Sequence, residues 1–364
     1  IRRVMSSGGD LVAMPPSATS YPSGPRARDR FVRERREARP ARDPWRPQGA
    51  LLEDERAEDG RIVRVATVFL TGRECRWRCV MCDLWRHTLL GDTPPGAIPA
   101  QIDLALAELA EGGGARPTHI KLYNASSFFD SQAVPDTDYD PIALRLADFE
   151  RVVVESHPAL LGAGMERFQD ALDPSLEVAM GLETAHPAAL ESLNKGMTLD
   201  QFARAADALL DRGVAVRAFV LVSPPFVPRG DQDEWLVRSV EFAFTCGASV
   251  VSIIPTRAGN GAMEALAADG QFHAPSLADL ERSLALCLER SRGHVFADLW
   301  DLDRLASRGR VFADLWNLDR LSGSTACGSV ACASARTHRL RLMNLEQRVL
   351  PSVECADCAS RAAS

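Results

Sequence analysis

The sequence lacks the features that would assign it at once to a membrane or secreted class. No run of its 364 residues approaches the roughly 18 to 20 consecutive apolar residues of a membrane span. Its first twenty residues contain no long apolar region and no convincing cleavage site, so we expect no secretory signal. These absences predict a cytoplasmic protein with no membrane partner.

Aromatic residues and lysine are also scarce. Aromatics make up 6% of the chain, so a core must rest on leucine, valine, isoleucine and alanine. Only two lysines occur, Lys121 and Lys195, and arginine supplies the rest of the 42 basic residues, a bias typical of a GC-rich genome. The formal net charge of -7 argues against non-specific coating of nucleic acid, but it allows a local basic patch.

Residues 1–60 are rich in proline, arginine, serine and glycine. Such a segment buries too little apolar surface to offset its ordering entropy, which predicts a disordered tail. An arm that contacts RNA is the alternative interpretation.

From residue 61 onward, apolar runs alternate with helical patterns. Most runs are continuously apolar, which is typical of a parallel sheet buried on both faces. The sequence therefore predicts an α/β fold with a partial (β/α)6-type barrel over residues 61–322, and a doubly wound open sheet is the alternative. Seven strand candidates begin the segments 61–70, 119–130, 149–158, 175–187, 214–225, 248–261 and 295–300.

A local duplication falls at the end of this region. SRGHVFADLWDLDRLA (291–306) is followed directly by SRGRVFADLWNLDRLS (307–322). Two copies are too few for a repeat fold, because such folds need at least three units. We expect one copy to supply the final strand and helix, and the other to be a peripheral insertion.

Nine cysteines in a chain without a secretory signal indicate metal, cluster or redox use. Three of them, Cys75, Cys79 and Cys82, form the pattern C-x3-C-x2-C directly after the first predicted strand. Three thiolates fill three irons of a [4Fe–4S] cube and leave the fourth iron open for a small molecule. A zinc site with a distant fourth ligand is the alternative.

This loop resembles the cluster loop of the radical S-adenosylmethionine (SAM) superfamily. The resemblance implies that SAM binds the open iron and that an electron donor such as ferredoxin or flavodoxin reduces the cluster. A 5′-deoxyadenosyl radical would then abstract hydrogen from a substrate. Met81 stands where the superfamily usually has an aromatic residue.

The resemblance extends over about residues 62–265. By position it implies SAM contacts from Asn124 and Ser126 at the end of the second strand, although the usual Gly-Gly-Glu is absent, and from Glu183 at the end of the fourth. The segments HIKLYNASSFFD, VVVESHP, LEVAMGLET, LNKGMT and VLVSPPF are similar to the branch that contains the archaeosine synthase radical subunit. More distantly they resemble the elongator catalytic subunit. This branch implies a substrate related to tRNA.

Three further residues lie at predicted strand ends and are candidates for the catalytic substrate face. Glu155 must find a partner at the mouth of a buried sheet. His157 is either an acid/base group or a loop histidine bonded to backbone. Arg257 lies in PTRAGNG, which could hold an anionic group or could simply be a turn that needs glycine. Lys195 could contact the substrate or be solvated.

The last four cysteines predict a separate metal-binding module over residues 323–364. Cys327 and Cys332 are spaced C-x4-C, and Cys355 and Cys358 are spaced C-x2-C, with a predicted helix and strand between the pairs. Two short-spaced pairs form a ribbon-like four-cysteine site for structural zinc or an auxiliary iron–sulfur cluster. Cys327 could instead be free.

Three functions remain open. The first is a radical SAM enzyme acting on a modified tRNA nucleoside. The second is a radical SAM enzyme acting on a small metabolite, which the acidic net charge favours. The third is a zinc-stabilised nucleic-acid-binding protein in which every clustered cysteine is structural.

Overall fold

The computed structural model describes residues 21–113, 115–291, 293–299 and 330–355. Its centre is one eight-stranded sheet whose strands lie side by side in sequence order. The first strand is antiparallel to the second, and every later pair is parallel. The strands are β1 (Gly49–Arg56), β2 (Ile62–Leu70), β3 (His119–Asn124), β4 (Arg151–Glu155), β5 (Ser175–Glu183), β6 (Ala215–Val222), β7 (Val250–Pro255) and β8 (His294–Ala297).

All seven predicted strands are present as β2 to β8. Their β-branched and aliphatic residues are buried, as in Val63, Val65 and Val68 of β2. Each strand pairs with its neighbour in sequence, which is the order of a barrel and excludes the reversal of a doubly wound sheet. The predicted partial (β/α) barrel is therefore confirmed.

Ten α-helices lie among the described residues, and several connect successive strands. Their ends follow local signals; for example, Thr198 and Gln201 form the predicted capping box. The helices are α1 (Pro25–Glu34), α2 (Ala97–Glu111), α3 (Tyr139–Leu146), α4 (Ala163–Ala171), α5 (Pro187–Ser192), α6 (Leu199–Leu210), α7 (Gln232–Thr245), α8 (Ala262–Ala268), α9 (Leu277–Arg290) and α10 (Val330–Glu346). Four 3₁₀ turns occupy Leu84–His87, Asp136–Asp138, Pro158–Leu160 and Arg229–Asp231.

The prediction that residues 1–60 form a disordered tail is wrong for the part that the structure describes. Residues 25–34 form α1, and residues 49–56 form β1, which pairs along its whole length with β2. Tyr21, Phe31 and Val32 are buried against the barrel. Residues 1–20 lie outside the described part of the chain.

The last strand of the sheet, β8, is covered by residues at the end of α10. Asn344 lies in the last turn of α10 and Gln347 directly follows the helix. The Ala297 N–H donates to the Asn344 side-chain oxygen at 2.8 Å, and the Val295 N–H donates to the Gln347 side-chain oxygen at 2.9 Å. An exposed strand edge invites pairing with another chain, and these amides occupy it instead. The strand belongs to the first copy of the duplication, and the second copy lies outside the described residues.

The predicted strand between the C-terminal cysteine pairs is not found, since residues 347–355 contain no strand. Cys332 is buried on α10 and Cys355 is partly buried, whereas Cys327 and Cys358 lie outside the described residues. The four-cysteine site therefore remains a prediction. Within the described ranges, no helix has the length and hydropathy needed to cross a membrane.

Both lysines of the chain are buried in ion pairs. Lys121 on β3 lies 3.0 Å from Glu53 and also contacts Glu55, both on β1. Burial raises the pKa of Glu55, but the charges of Arg217 and Lys121 outweigh it and lower that pKa to about 2. These charges lie near the amino ends of the parallel strands, so they hold β1 on the barrel at the end away from the predicted site.

Candidate cofactor site at the carboxyl ends of the strands

The cysteine loop leaves the carboxyl end of β2, as the sequence predicts. Cys75, Cys79 and Cys82 are free thiols and only partly exposed. Burial raises the pKa of the Cys82 thiol to about 12, and the charges of Asp83 and Cys75 add to the effect. The thiols are therefore protonated until a metal binds and displaces the protons.

Two loops from other strands hold the cysteine loop in place. The Val80 N–H donates to the Leu193 carbonyl at 3.0 Å, between α5 and α6. The Asn260 amide, after β7, donates to the carbonyls of Val80 at 2.8 Å and Cys82 at 3.2 Å. The loop is thus bonded to segments far away in sequence, which restricts the positions of the three thiols.

Trp77, between the first two cysteines, stacks on His157. Their ring centroids lie 3.5 Å apart with the planes 16° from parallel. Gly196 packs beneath Trp77, where a Cβ would lie 2.8 Å from the indole nitrogen. Gly196 also has a φ of 70°, so glycine is required on both counts.

Both ring nitrogens of His157 are engaged by backbone. Nδ1 accepts from the Ala159 N–H at 3.1 Å, so Nε2 carries the proton and donates to the Lys195 carbonyl, also at 3.1 Å. Burial and the Lys195 charge lower its pKa to about 3. Of the two interpretations left open for His157, this geometry favours the backbone-bonded histidine and leaves no ring nitrogen for proton transfer.

Glu183 and Lys195 form a buried ion pair at the end of β5, with Nζ 2.7 Å from Oε1. Glu183 adopts a φ of 66°, beside an irregularity in the β5–β6 pairing. Gly181 makes room for the pair, because a Cβ at that position would overlap the Glu183 carboxylate and the Lys195 amine. The sequence predicted that Lys195 either contacts the substrate or is solvated. In the structure it is instead buried and paired with Glu183.

Asn124 ends β3 and is paired in register with Leu70, the residue that ends β2. Its side-chain nitrogen and oxygen, and the Ser126 hydroxyl, are buried and have no hydrogen-bond partner among the described residues. Buried polar atoms are rarely left unpaired, so such atoms at a strand end indicate a site for a ligand. Asn124 and Ser126 are also the residues for which the resemblance predicts SAM contacts, and that role remains a prediction.

Glu155 lies beside this position and accepts from the backbone N–H of Asn124 at 2.6 Å. Burial raises its pKa to about 8; the Asn124 hydrogen bond and the Lys195 charge oppose the shift. The carboxyl therefore exchanges its proton near neutral pH, which is a property of acid/base groups. Arg257, by contrast, lies 3.4 Å from Asp83, so its charge is already paired.

The chemistry of the three thiols fits the cluster that the loop predicts. Within the described ranges, no group of three or more His, Cys, Asp or Glu side chains is arranged to hold one metal ion. In a [4Fe–4S] cube each thiolate binds a different iron, so the sulfurs need not converge on one point. Sequence reasoning missed the supporting role of Trp77 and of the Asn260 side chain. The signals that could have found them are Gly196, which packs against Trp77, and the PTRAGNG segment that contains Asn260.

No known protein-family profile matches the chain. A Methanocaldococcus jannaschii protein, named only as uncharacterised, is 24% identical over 266 residues, which cover 69% of this chain and 70% of that protein. Archaeosine synthase subunit beta of Methanosarcina acetivorans is 28% identical over 234 residues, covering 60% of this chain and 65% of the subunit. The match therefore spans slightly less than two thirds of that subunit.

Among solved structures, queuine lyase from Clostridium spiroforme bound to SAM and queuine shares 18% identity. The alignment covers 56% of this chain and 80% of that one, with a TM-score of 0.41. A likeness this distant identifies nothing by itself. The chain is therefore similar in sequence to archaeosine synthase subunit beta over about 60% of its length, and the C-x3-C-x2-C loop after the first parallel strand of its barrel is the feature that resembles the radical SAM superfamily.

Proposed function

We propose that this chain cleaves SAM reductively with a [4Fe–4S] cluster held by Cys75, Cys79 and Cys82, and abstracts hydrogen from a modified nucleoside of tRNA. The observation that carries the proposal is that the loop with three free thiols follows β2, while unpartnered polar atoms end β3, the parallel strand paired with β2. When bound, the reduced cluster and SAM supply a 5′-deoxyadenosyl radical.

The chain's own residues favour a ligand that carries a positive charge. Two carboxyl groups, those of Glu155 and Glu183, lie at these strand ends. The Lys195 ammonium group pairs with Glu183, so Glu155 has no ion-pair partner among the described residues. An added cation, such as the amino group of SAM, would favour ionisation of Glu155. Asn124 supplies both an unpaired donor and an unpaired acceptor for the same ligand.

A row of arginines supports a phosphate-bearing substrate over a small metabolite. Arg26, Arg30 and Arg33 are exposed at i, i+4 and i+7 of α1, so they share one face of that helix. Their side chains form no ion pair or hydrogen bond with any residue in the part of the chain that the structure describes. Unpaired guanidinium groups in a row suit the phosphates of an RNA strand.

Two accessory features complete the proposal. An external donor such as ferredoxin or flavodoxin would deliver the electron. Cys327, Cys332, Cys355 and Cys358 would hold a structural zinc or an auxiliary cluster, and metal analysis of a chain truncated after Glu346 would test for it.

The proposed reaction is tested by anaerobic assay of 5′-deoxyadenosine after reconstitution with iron and sulfide. The native protein and Cys246→Ala, a buried cysteine away from the loop, should form it, and Cys79→Ala should not. Reversing the three α1 arginines to glutamate should weaken tRNA binding and reduce the steepness of its salt dependence. A colourless protein that binds two zinc ions and neither binds nor cleaves SAM would instead support the alternative of a zinc-stabilised nucleic-acid-binding protein.

A further inference from the structure

The N-terminal segment reaches the cysteine loop through Glu74, the residue directly before Cys75. Arg36 Nη1 lies 2.7 Å from one Glu74 oxygen, and Arg39 Nη1 lies 3.1 Å from the other. The side chains of all three residues are only 13 to 15% exposed. Such a desolvated, two-sided carboxylate contact is stronger than an ordinary surface ion pair.

Glu74 also contacts Arg78, which lies within the cysteine loop itself. Arg78 Nε lies 3.3 Å from the same Glu74 oxygen that Arg36 contacts. The other end of Arg78 donates to the Trp77 carbonyl at 2.9 Å and to the Cys75 carbonyl. A continuous chain of polar contacts therefore runs from the N-terminal arginines to the backbone between the first two cysteines.

The same segment also holds the far side of the loop. The Arg36 guanidinium lies 4.8 Å from the centroid of the Trp85 ring, three residues beyond Cys82. Arg39 donates to the Thr88 hydroxyl at 2.5 Å and to the Trp85 carbonyl at 3.3 Å. Both ends of the cysteine loop are thus attached to the same two arginines.

A second connection comes from α1. The Asn194 amide donates to the Asp29 carboxylate at 2.9 Å and to the Arg78 carbonyl at 3.0 Å. The Arg35 carbonyl fills the space that a Cβ at Gly261 would need, in the loop that also bonds the cysteine loop through Asn260. The N-terminal segment is therefore packed against every loop that holds the three cysteines.

We propose that Glu74, held by Arg36 and Arg39, is a positioning residue for the cysteine loop, and that residues 29–39 are part of the cofactor site. The inference rests on the proposed function, because it assigns this contact to the cluster that the loop would hold. A cluster bound by three thiolates carries negative charge, and Glu74 adds another next to it. The three arginines offset that charge while they fix the backbone.

The charges of Glu74 and its arginine partners allow an experiment to distinguish the positioning role from a role in packing alone. Glu74→Gln keeps the shape but leaves three guanidinium groups uncompensated, which should raise the reduction potential of the bound cluster. Replacing both arginines by alanine leaves the carboxylate beside the cluster and should lower the potential. A role in packing alone would shift both variants in the same direction.

The test compares Glu74→Gln, the double variant Arg36→Ala/Arg39→Ala and the matched control Arg26→Ala/Arg30→Ala. The control removes two arginines from the same segment, but neither contacts Glu74. The first measurement is the rate at which a thiol reagent modifies the three cysteines of the metal-free protein. We expect roughly tenfold faster modification in the double variant, through local opening of the loop, and no change in the control.

The second measurement is the reduction potential of the reconstituted cluster, followed by EPR. We expect shifts of opposite sign for Glu74→Gln and for the double variant, with Arg36→Lys/Arg39→Lys restoring the native value in part. Unchanged thiol rates, or potentials that shift in one direction only, would overturn the proposal. Because the thiol rate needs neither cluster nor SAM, it tests the positioning role even if the proposed reaction fails.

Discussion

Lys195 Nζ lies 2.7 Å from Glu183 Oε1, and the pair is buried within the carboxyl end of the barrel. Each residue comes from a different side of the site, one at the end of β5 and the other before α6. Removing one partner of a buried pair leaves an uncompensated charge, whereas removing both does not. Each side chain of the pair therefore stabilises the fold only while the other is present.

Lys195→Met is expected to lower the free energy of unfolding by about 3 to 5 kcal/mol. The double variant Lys195→Met/Glu183→Leu should recover most of that loss, because no charge is left without a partner. Urea unfolding of the two variants and of Glu183→Leu alone gives the coupling free energy. If the double variant lost as much free energy of unfolding as the two single variants together, the two side chains would not interact.

Asn124→Ala is expected to weaken SAM binding without destabilising the fold. Its side-chain polar atoms have no partner among the described residues, so no internal hydrogen bond is lost. Loss of the ligand contacts should cost about 1 to 1.5 kcal/mol, close to tenfold in Kd. Equilibrium dialysis with the reconstituted protein measures the affinity.

Asn344→Ala is the matched control for that experiment. Asn344 bonds both backbone groups of Ala297 at 2.8 Å, far from the cysteine loop. We expect this variant to lose stability and to keep its affinity for SAM. Equal losses of SAM affinity in the Asn124→Ala and Asn344→Ala variants would contradict a direct contact between Asn124 and SAM.

Glu155 should give the folded chain a stability that falls as pH rises. Its pKa is raised to about 8 in the folded state, so between the unfolded value near 4.5 and 8 the folded state retains a proton that the unfolded state has released. Unfolding is therefore favoured progressively across that window and no further above it. Glu155→Gln should remove this slope, which urea unfolding at pH 5, 6, 7 and 8 would detect.

His157 should produce the opposite dependence in acid. Its pKa is lowered to about 3, so below about pH 6.5 the unfolded state binds a proton that the folded state does not. Stability should fall as pH drops from about 6.5 toward 3, and His157→Gln should show a weaker loss. A stability profile identical to that of the native protein would mean that the ring is not buried and neutral.

The sequence predicted the barrel because its strands are signalled locally. Continuous apolar runs such as RIVRVATVFL can be satisfied only by burial on both faces. The cysteine loop was equally visible, since three thiols follow the first of these runs. Asn124 and Glu183 end the second and fourth predicted strands, and only the resemblance to a known family assigned them SAM contacts, which remain a prediction.

The folding of residues 21–60 could not be read from the same signals. The burial of Arg28 depends on the Glu191 carbonyl, 163 residues away, to which its guanidinium donates at 2.7 Å. From composition alone an arginine is expected to be exposed to solvent. The arginine-rich segment was therefore predicted to be disordered. The partner of Lys195 was hidden for the same reason, although Gly181 and Gly196 marked the tight packing around it.

Cys75, Cys79 and Cys82 are proposed to hold a cluster whose open iron binds SAM. The most direct measurement is the EPR spectrum of the reduced, anaerobically reconstituted protein with and without SAM, with Cys79→Ala alongside. We expect a reduced-cluster signal that shifts when SAM is added to the native protein and that is absent from the variant. A protein that retains only zinc, or a cluster signal that SAM leaves unchanged, would contradict it.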